Sequence, residues 1–390
     1  YINDRAKMGA YYTKEDITEY ISKNCIIPFL LDDWARRAGK DVLQQLFAFL
    51  QKNADQYIYP ALKKGAELPL PDYIEQGIDP HAPQLLQRRA RWNEAASESH
   101  ALPTEIWRET VQRRQRYAQL LAQLQKQPLQ HTSELISLNI DLRALLSDFL
   151  EQCEQPQQVM HFFEALHSVT ILDPTCGSGA FLFAALGILE PIYAVCIERI
   201  QAFVFDEDEY NRHHKQFRNQ LPKERELLAQ IKSHPNQSYF IYKTIILHNL
   251  YGVDIMHEAI EVAKLRLFLR LVAATDPAPE LPNYGLEPLP DVDFNIRSGN
   301  TLIGFANFSE LLPVFNTVTG FGKEEKVRDL LLYVKEAYAE FKRLQLDPKS
   351  EQDAIFSFKD IKNRLQQRLD QLNDFLNQFL HDQHYNKIPF

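Results

Sequence analysis

The chain has only four cysteines among its 390 residues: Cys25, Cys153, Cys176 and Cys196. They show no paired spacing, which argues against a zinc site and a disulfide framework and makes a reducing cytosol the expected compartment. An excess of basic residues is also missing, since 43 Lys and Arg stand against 52 Asp and Glu, a formal charge of −9. Proteins that coat nucleic acid are usually basic, so that class is excluded as the main role; a DNA enzyme with localised contacts is not. No stretch reads as a signal peptide or a transmembrane run, so no membrane partner is expected. No cluster of acids and lysine marks a nuclease, and no metal site is expected. His213 and His214 lie beside Asp206 and Asp208, but adjacent histidines point to different helix faces. What the chain does have is apolar material, 45% of its residues, enough for two or three domains with a sizeable core.

The most informative stretch is Ile171-Leu-Asp-Pro-Thr-Cys-Gly-Ser-Gly-Ala-Phe-Leu182. The apolar run 169–172 predicts a short buried strand ending on Asp173. Residues 180–189 predict an apolar helix, and the turn between them carries Gly177 and Gly179. Strand, acidic tip, Gly-x-Gly turn and helix are the parts of a nucleotide-cofactor site at the carboxyl end of a parallel strand. Glycine lets the backbone approach a ligand closely and take unusual dihedrals. A dinucleotide site would want a third glycine where Leu182 stands, and an acid about twenty residues on, where only Glu198 occurs inside an apolar helical run. A lone Gly-x-Gly is often a tight turn with no ligand. Asp173 tips the balance: a carboxylate beside the turn repels phosphate but suits a cationic ligand.

Residues 173–181 resemble the first motif of amino-group DNA methyltransferases, which bind S-adenosylmethionine there. The resemblance implies cofactor contacts from Asp173, Thr175, Cys176, Gly177, Gly179, Ala180 and Phe181. Asn249-Leu-Tyr-Gly-Val-Asp-Ile255 is similar to the second strand of such an enzyme. Asp254 would then accept hydrogen bonds from the ribose hydroxyls, and Ile255 would lie against the adenine. Residues 258–274 predict an apolar helix covering the sheet. Asn295-Ile-Arg-Ser-Gly-Asn-Thr-Leu302 looks like the third strand and its tip, with Asn300 reaching the adenine edge. Near the amino terminus, Gly9-Ala-Tyr-Tyr-Thr13 resembles the remaining cofactor motif and adds Tyr11, Tyr12 and Thr13. Thr13 and Asp16 have capping-box spacing and would open an amphipathic helix over 17–31. Its amino terminus would favour an anion such as the cofactor's carboxylate. The four pieces stand in the family's permuted order.

These parts imply an α/β chain: the first three strands of a Rossmann-like, S-adenosylmethionine-dependent methyltransferase fold, a helical amino-terminal domain and a C-terminal helical hairpin. The expected domains are 1–165, 166–310 with a helical insertion near 190–240, and 311–390. In this family a tetrapeptide, Asn/Asp/Ser-Pro-Pro-aromatic, holds the flipped base. No Pro-Pro pair occurs in the chain, so no catalytic residue is assigned in it. The chain therefore reads as the cofactor-binding portion of a larger adenine-specific enzyme of restriction–modification or phage-defence type. The remaining portion would carry the catalytic pocket and target recognition and act on double-stranded DNA.

Outside the motifs, 87–125 holds Arg88, Arg89, Arg91, Arg108, Arg113, Arg114 and Arg116 with few acids between. Two readings are open, a phosphate-tracking face and the solvated side of a long helix. Residues 205–237 read as an exposed helical insertion. Leu331, Val334, Tyr338 and Phe341 are expected to face Leu365, Leu369, Leu372 and Phe375 across the hairpin, either clamping DNA or bracing the fold. Two other classes also stay open: a methyltransferase of RNA or protein, and a non-catalytic cofactor- or DNA-binding subunit.

Overall fold

The computed structural model describes residues 13–126, 128–214, 219–277, 279–280, 282–305, 307–316, 322–346 and 351–385. Helices α1 (Glu15–Ala38), α2 (Asp41–Lys52), α3 (Trp107–Lys126), α4 (Thr132–Leu138), α5 (Leu142–Glu151) and α6 (Pro156–Ser168) precede strand β1 (Ile171–Asp173). Helices α7 (Ala180–His214), α8 (Pro222–Lys232) and α9 (Gln237–Thr244) stand between β1 and β2 (Leu250–Asp254). Helix α10 (His257–Ala273) leads to β3 (Ile296–Ser298), followed by α11 (Glu324–Leu346) and α12 (Glu351–Tyr385).

The strands form one small parallel sheet in the order β1-β2-β3, an α/β arrangement within a mostly helical chain. Parallel neighbours need long crossovers, which α7 to α9 and then α10 supply. Asp173 pairs with Gly252 and Asp254 with Ser298. The register therefore brings the tips of all three strands to one edge, where ligands bind in open parallel sheets. The first strand is not fully buried as expected. It is an outer strand, and Leu172 is 61% exposed.

The chain divides into two compact units. One takes the described residues up to Glu19, His167–Ala194 and those from Val204 onward. Here α10 packs on β2 and β3 through Ile260, Ala263, Leu267 and Leu271, spaced one helical turn apart and all buried. Asn295 secures the base of the sheet, its amide donating to the carbonyls of Ile246, Leu247 and Leu250. Asn249 does the same for Val169, at 2.7 Å. Helices α11 and α12 pack together, with Phe341 edge-on to Phe294 and stacked on Phe358. The insertion is less exposed than expected, because Leu221, Leu227, Leu228 and Ile231 are buried.

The other unit comprises Tyr20–Leu166 and Val195–Phe203. Trp34 is fully buried at its centre, edge-on to Phe162 at 4.8 Å and Phe149 at 5.8 Å. This unit answers the question of the arginine run. Arg113 is buried and holds Glu105 with Nε and Nη2 while also donating to the carbonyls of Lys64 and His100. Arg114 donates to Ala66 O, Arg88 to Pro83 O and Arg89 to Gly77 O. Arg91 pairs with Glu94 over the Tyr73 ring. Arg113 and Arg114 tie an irregular segment to α3, while Arg88, Arg89 and Arg91 bond within that segment, so five of the seven do not form a row of free cations.

The sequence suggested no transmembrane run, yet Ala180–His213 is long and apolar enough to cross a membrane, by length and composition alone. Half of its most apolar stretch is buried. Leu182, Leu186, Leu189, Ile192 and Tyr193 all face the interior, as in the core helix of a globular unit.

Candidate functional site

Beyond β1 the chain turns through 174–179 into α7, and four of the amides in that turn donate hydrogen bonds. Thr175 N donates to Asp173 Oδ1 at 3.1 Å, and Gly179 N to Cys176 O at 2.7 Å. Two bonds cross to β2: Cys176 N to Val253 O at 2.9 Å and Gly177 N to Asp254 Oδ2 at 2.8 Å. Gly177 and Gly179 have φ of +51° and +87°, left-handed values that cost a residue with Cβ about 1–2 kcal/mol.

A third glycine sits opposite. A Cβ on Gly252 of β2 would lie 2.9 Å from Cys176 Sγ and 3.0 Å from Leu182 Cδ1. The bare backbone of the strand lets the Cys176 side chain sink beneath the turn. Burial, with Asp173 and Asp254 nearby, pushes that thiol up to about 12. It stays protonated at neutral pH, so its role is packing and not nucleophilic chemistry.

Asp173 is the group left incomplete. Its Oδ2 is buried without a hydrogen-bond partner, the one carboxylate oxygen in that state among the described residues. Burial, and to a lesser degree the charge of Asp254, raises its pKa against the lowering effect of the Thr175 amide. A buried, unmatched acceptor costs about 1–3 kcal/mol, more when charged. A cationic donor at that oxygen would remove the penalty. Asp254 is already engaged, taking Gly177 N on Oδ2 and Met256 N on Oδ1 at 2.8 Å. Each oxygen keeps a second lone pair.

The three tips are joined. Gly299 N donates to Asp254 O at 2.9 Å, and Thr301 Oγ1 to Pro174 O at 3.0 Å. Asn300 is exposed, with its amide oxygen taken by Leu302 N at 3.0 Å, so its amide NH2 is the group it offers outward. Apolar side chains flank this edge, with Ile255 at 73% and Leu302 at 93% exposure. The arrangement can bind a molecule that has a cationic head and a flat apolar part. Among the described residues, no group of three His, Cys, Asp or Glu could hold a metal.

The structure thus gathers Asp173, Thr175, Cys176, Gly177, Gly179, Asp254, Ile255 and Asn300 at one edge. Ala180 and Phe181 form the first turn of α7, both half-buried. Tyr11 and Tyr12 lie outside the described residues. Thr13 takes no part in these bonds, and its proposed capping box is not formed. Helix α1 begins at Glu15, and Lys14 O receives the first amides, from Ile17 and Thr18. The spacing placed the cap one residue too early. Gly252, Arg266 and Thr301 were not foreseen as site residues. A mid-strand glycine signals close approach, so Gly252 was findable; nothing local marks Arg266, whose Nη1 donates to Ser178 O at 2.8 Å.

Residues 149–303 match the family described as MmeI, DNA-methyltransferase domain. The matched segment contains all three strands and their tips. A candidate type II restriction enzyme and methyltransferase of Methanocaldococcus jannaschii is 32% identical over 167 residues, 42% of this chain. The aligned part spans 11% of that protein's length. No solved structure matches the chain.

Proposed function

We propose that this chain supplies the S-adenosylmethionine site of a DNA methyltransferase belonging to a restriction–modification system. The observation that carries the reading is the partnerless Asp173 oxygen beside two left-handed glycines. S-adenosylmethionine fits it, having a sulfonium and an α-ammonium to meet a carboxylate, a ribose diol for the free lone pairs of Asp254, and an adenine for the apolar rim. The similarity of 149–303 to a methyltransferase domain supports the same reading. When bound, the cofactor supplies an electrophilic methyl group for transfer to a nitrogen.

The residues present would bind and orient it. Asp173 offers its open oxygen to the cationic end, and Gly177 and Gly179 let the backbone lie close. Asp254 holds the ribose while fastening the turn to β2. Ile255 packs on the adenine and Asn300 reads its edge. Tyr11, Tyr12 and Thr13 are proposed for the carboxylate end by resemblance. Base capture is assigned by the resemblance to the Pro-Pro tetrapeptide, which no residues of this chain form, so its part is cofactor binding. Adenine N6 as the methyl acceptor and double-stranded DNA as the substrate likewise come from the resemblance.

Calorimetric titration with S-adenosylmethionine tests this. Wild type should bind, while Asp173→Ala and Asp254→Ala should lose measurable binding with unchanged circular dichroism. Full affinity in both variants would remove the assignment.

A further inference from the structure

We infer that Arg266 is a positioning residue for the glycine turn. On this view α10 sets the shape in which the turn receives the charged end of the cofactor. The inference rests on the cofactor reading above and adds a residue outside every cofactor motif.

Within itself the turn makes few bonds. Apart from Gly179 N to Cys176 O, its backbone is fastened from outside. Strand β2 provides two of those fastenings, Val253 O and Asp254 Oδ2. At the start of the turn, Thr175 N is held by Asp173 Oδ1 of β1 and Pro174 O by Thr301 Oγ1 beyond β3, whereas its middle is held by helix α10. Arg266 Nη1 donates to Ser178 O at 2.8 Å, and a Cβ on Gly179 would come within 3.3 Å of Ala263 Cβ. Positions 263 and 266 are three apart and share one helix face. Ala263 is small enough for the turn to approach, and Arg266 reaches past it to hold the middle peptide.

The guanidinium does a second thing at once. It lies 4.2 Å from the centroid of Phe183, whose own amide donates to Gly179 O at 2.9 Å. Arg266 therefore bridges the Ser178 carbonyl and the first turn of α7. Its charge is directed to a carbonyl dipole and a ring face, so Asp173 keeps its open oxygen for a ligand. A planar cation can stack and donate together; a lysine ammonium cannot hold both positions in the same way.

Ser178 lies between two glycines, the most permissive neighbours a residue can have. Freed from Arg266, the segment would sample other conformations, and a ligand touching the turn would have to order it on binding. A ligand held only through Asp254 and Ile255 would not. The loss should therefore be selective by ligand fragment, which a general weakening of the fold would not produce.

The experiment uses the full 390-residue chain as wild type, Arg266→Met and Arg266→Lys. Each is titrated with S-adenosylmethionine, S-adenosylhomocysteine and 5′-methylthioadenosine, the last of which lacks the amino-acid end. Arg266→Met should bind the first two about tenfold more weakly, the scale of one charge-assisted hydrogen bond, and the third within about twofold. Arg266→Lys should recover only part of the loss. Equal weakening for all three ligands, or no weakening, overturns the inference while leaving the cofactor site intact. A folded wild type that binds none of the three overturns the cofactor reading and this inference with it. Should Arg266→Met fail to fold, Phe183→Leu removes the ring beneath the guanidinium. The same selectivity at about threefold is expected there, and unselective loss overturns the inference.

Discussion

Arg113 and Arg266 look alike in sequence, each an arginine on the face of a long helix, yet their surroundings differ in kind. Arg113 is buried against Glu105, and its remaining donors point at carbonyls of an irregular segment. It is a cation with matched partners, although its neighbour Arg114 keeps Nη1 buried without one. Arg266 is half-buried and reaches one carbonyl of a glycine turn, beside a carboxylate with an unmatched oxygen. A cation completed by its neighbours is a structural knot. A buried carboxylate oxygen left a bond short can take a donor from a ligand.

The largest effect should come from breaking the knot. Arg113→Met strands Glu105 in a partly buried setting, and removal of one partner of a buried ion pair costs about 3–5 kcal/mol. Denaturant unfolding would read this, and a loss under about 1 kcal/mol would mean that water replaces the arginine.

Acid should come next, through a different buried pair. His167 and His248 lie with ring centroids 4.2 Å apart, and burial first, then His167 and Lys342, pushes His248 down to about 3. Burial also lowers His167. The unfolded state then binds more protons than the native state between about 3 and the ordinary 6.5, so stability falls as pH drops below 6.5. His248→Gln should flatten that limb in a pH series of thermal unfolding; an unchanged slope would place the acid sensitivity elsewhere.

A smaller effect, opposite in sign, sharpens the contrast. Asp173 has a raised pKa, so the native state holds its proton above the usual 3.8. Stability is lost as pH rises through that window and stays lower above it. Without ligand, Asp173→Asn should be more stable than wild type at pH 7, with the gap closing toward pH 3.8. The same variant should bind S-adenosylmethionine more weakly. A variant less stable at every pH would show that the carboxylate serves the fold. The smallest effect belongs to Arg116, an exposed member of the arginine run. Arg116→Ala should change stability by less than about 0.5 kcal/mol.

Much of the site was readable because its signals are local. Asp173, Gly177 and Gly179 stand within seven residues, and strand, turn and helix follow from that order. Asp254 closes its own strand in the same way. The stripe of α10 was visible as period, and so were the facing residues of α11 and α12. The arginine run was ambiguous because charge spacing along α3 does not say where the carbonyls of 61–66 will lie. The cap of α1 moved by one residue, since an N-cap is decided by which peptide first turns helical and not by residue type alone.

Residue order along the chain was thus enough for the acidic tip, the glycine turn and the helices, each specified by neighbours within a few positions. It could not assign partners far apart. That Cys176 packs on Gly252, that Arg266 holds Ser178, and that Val195–Phe203 joins the helical unit follow from packing across separations of up to 88 residues and more. Many residues could compete for such contacts, and the close-packed fold selects among them by shape and by the need to satisfy each buried polar group.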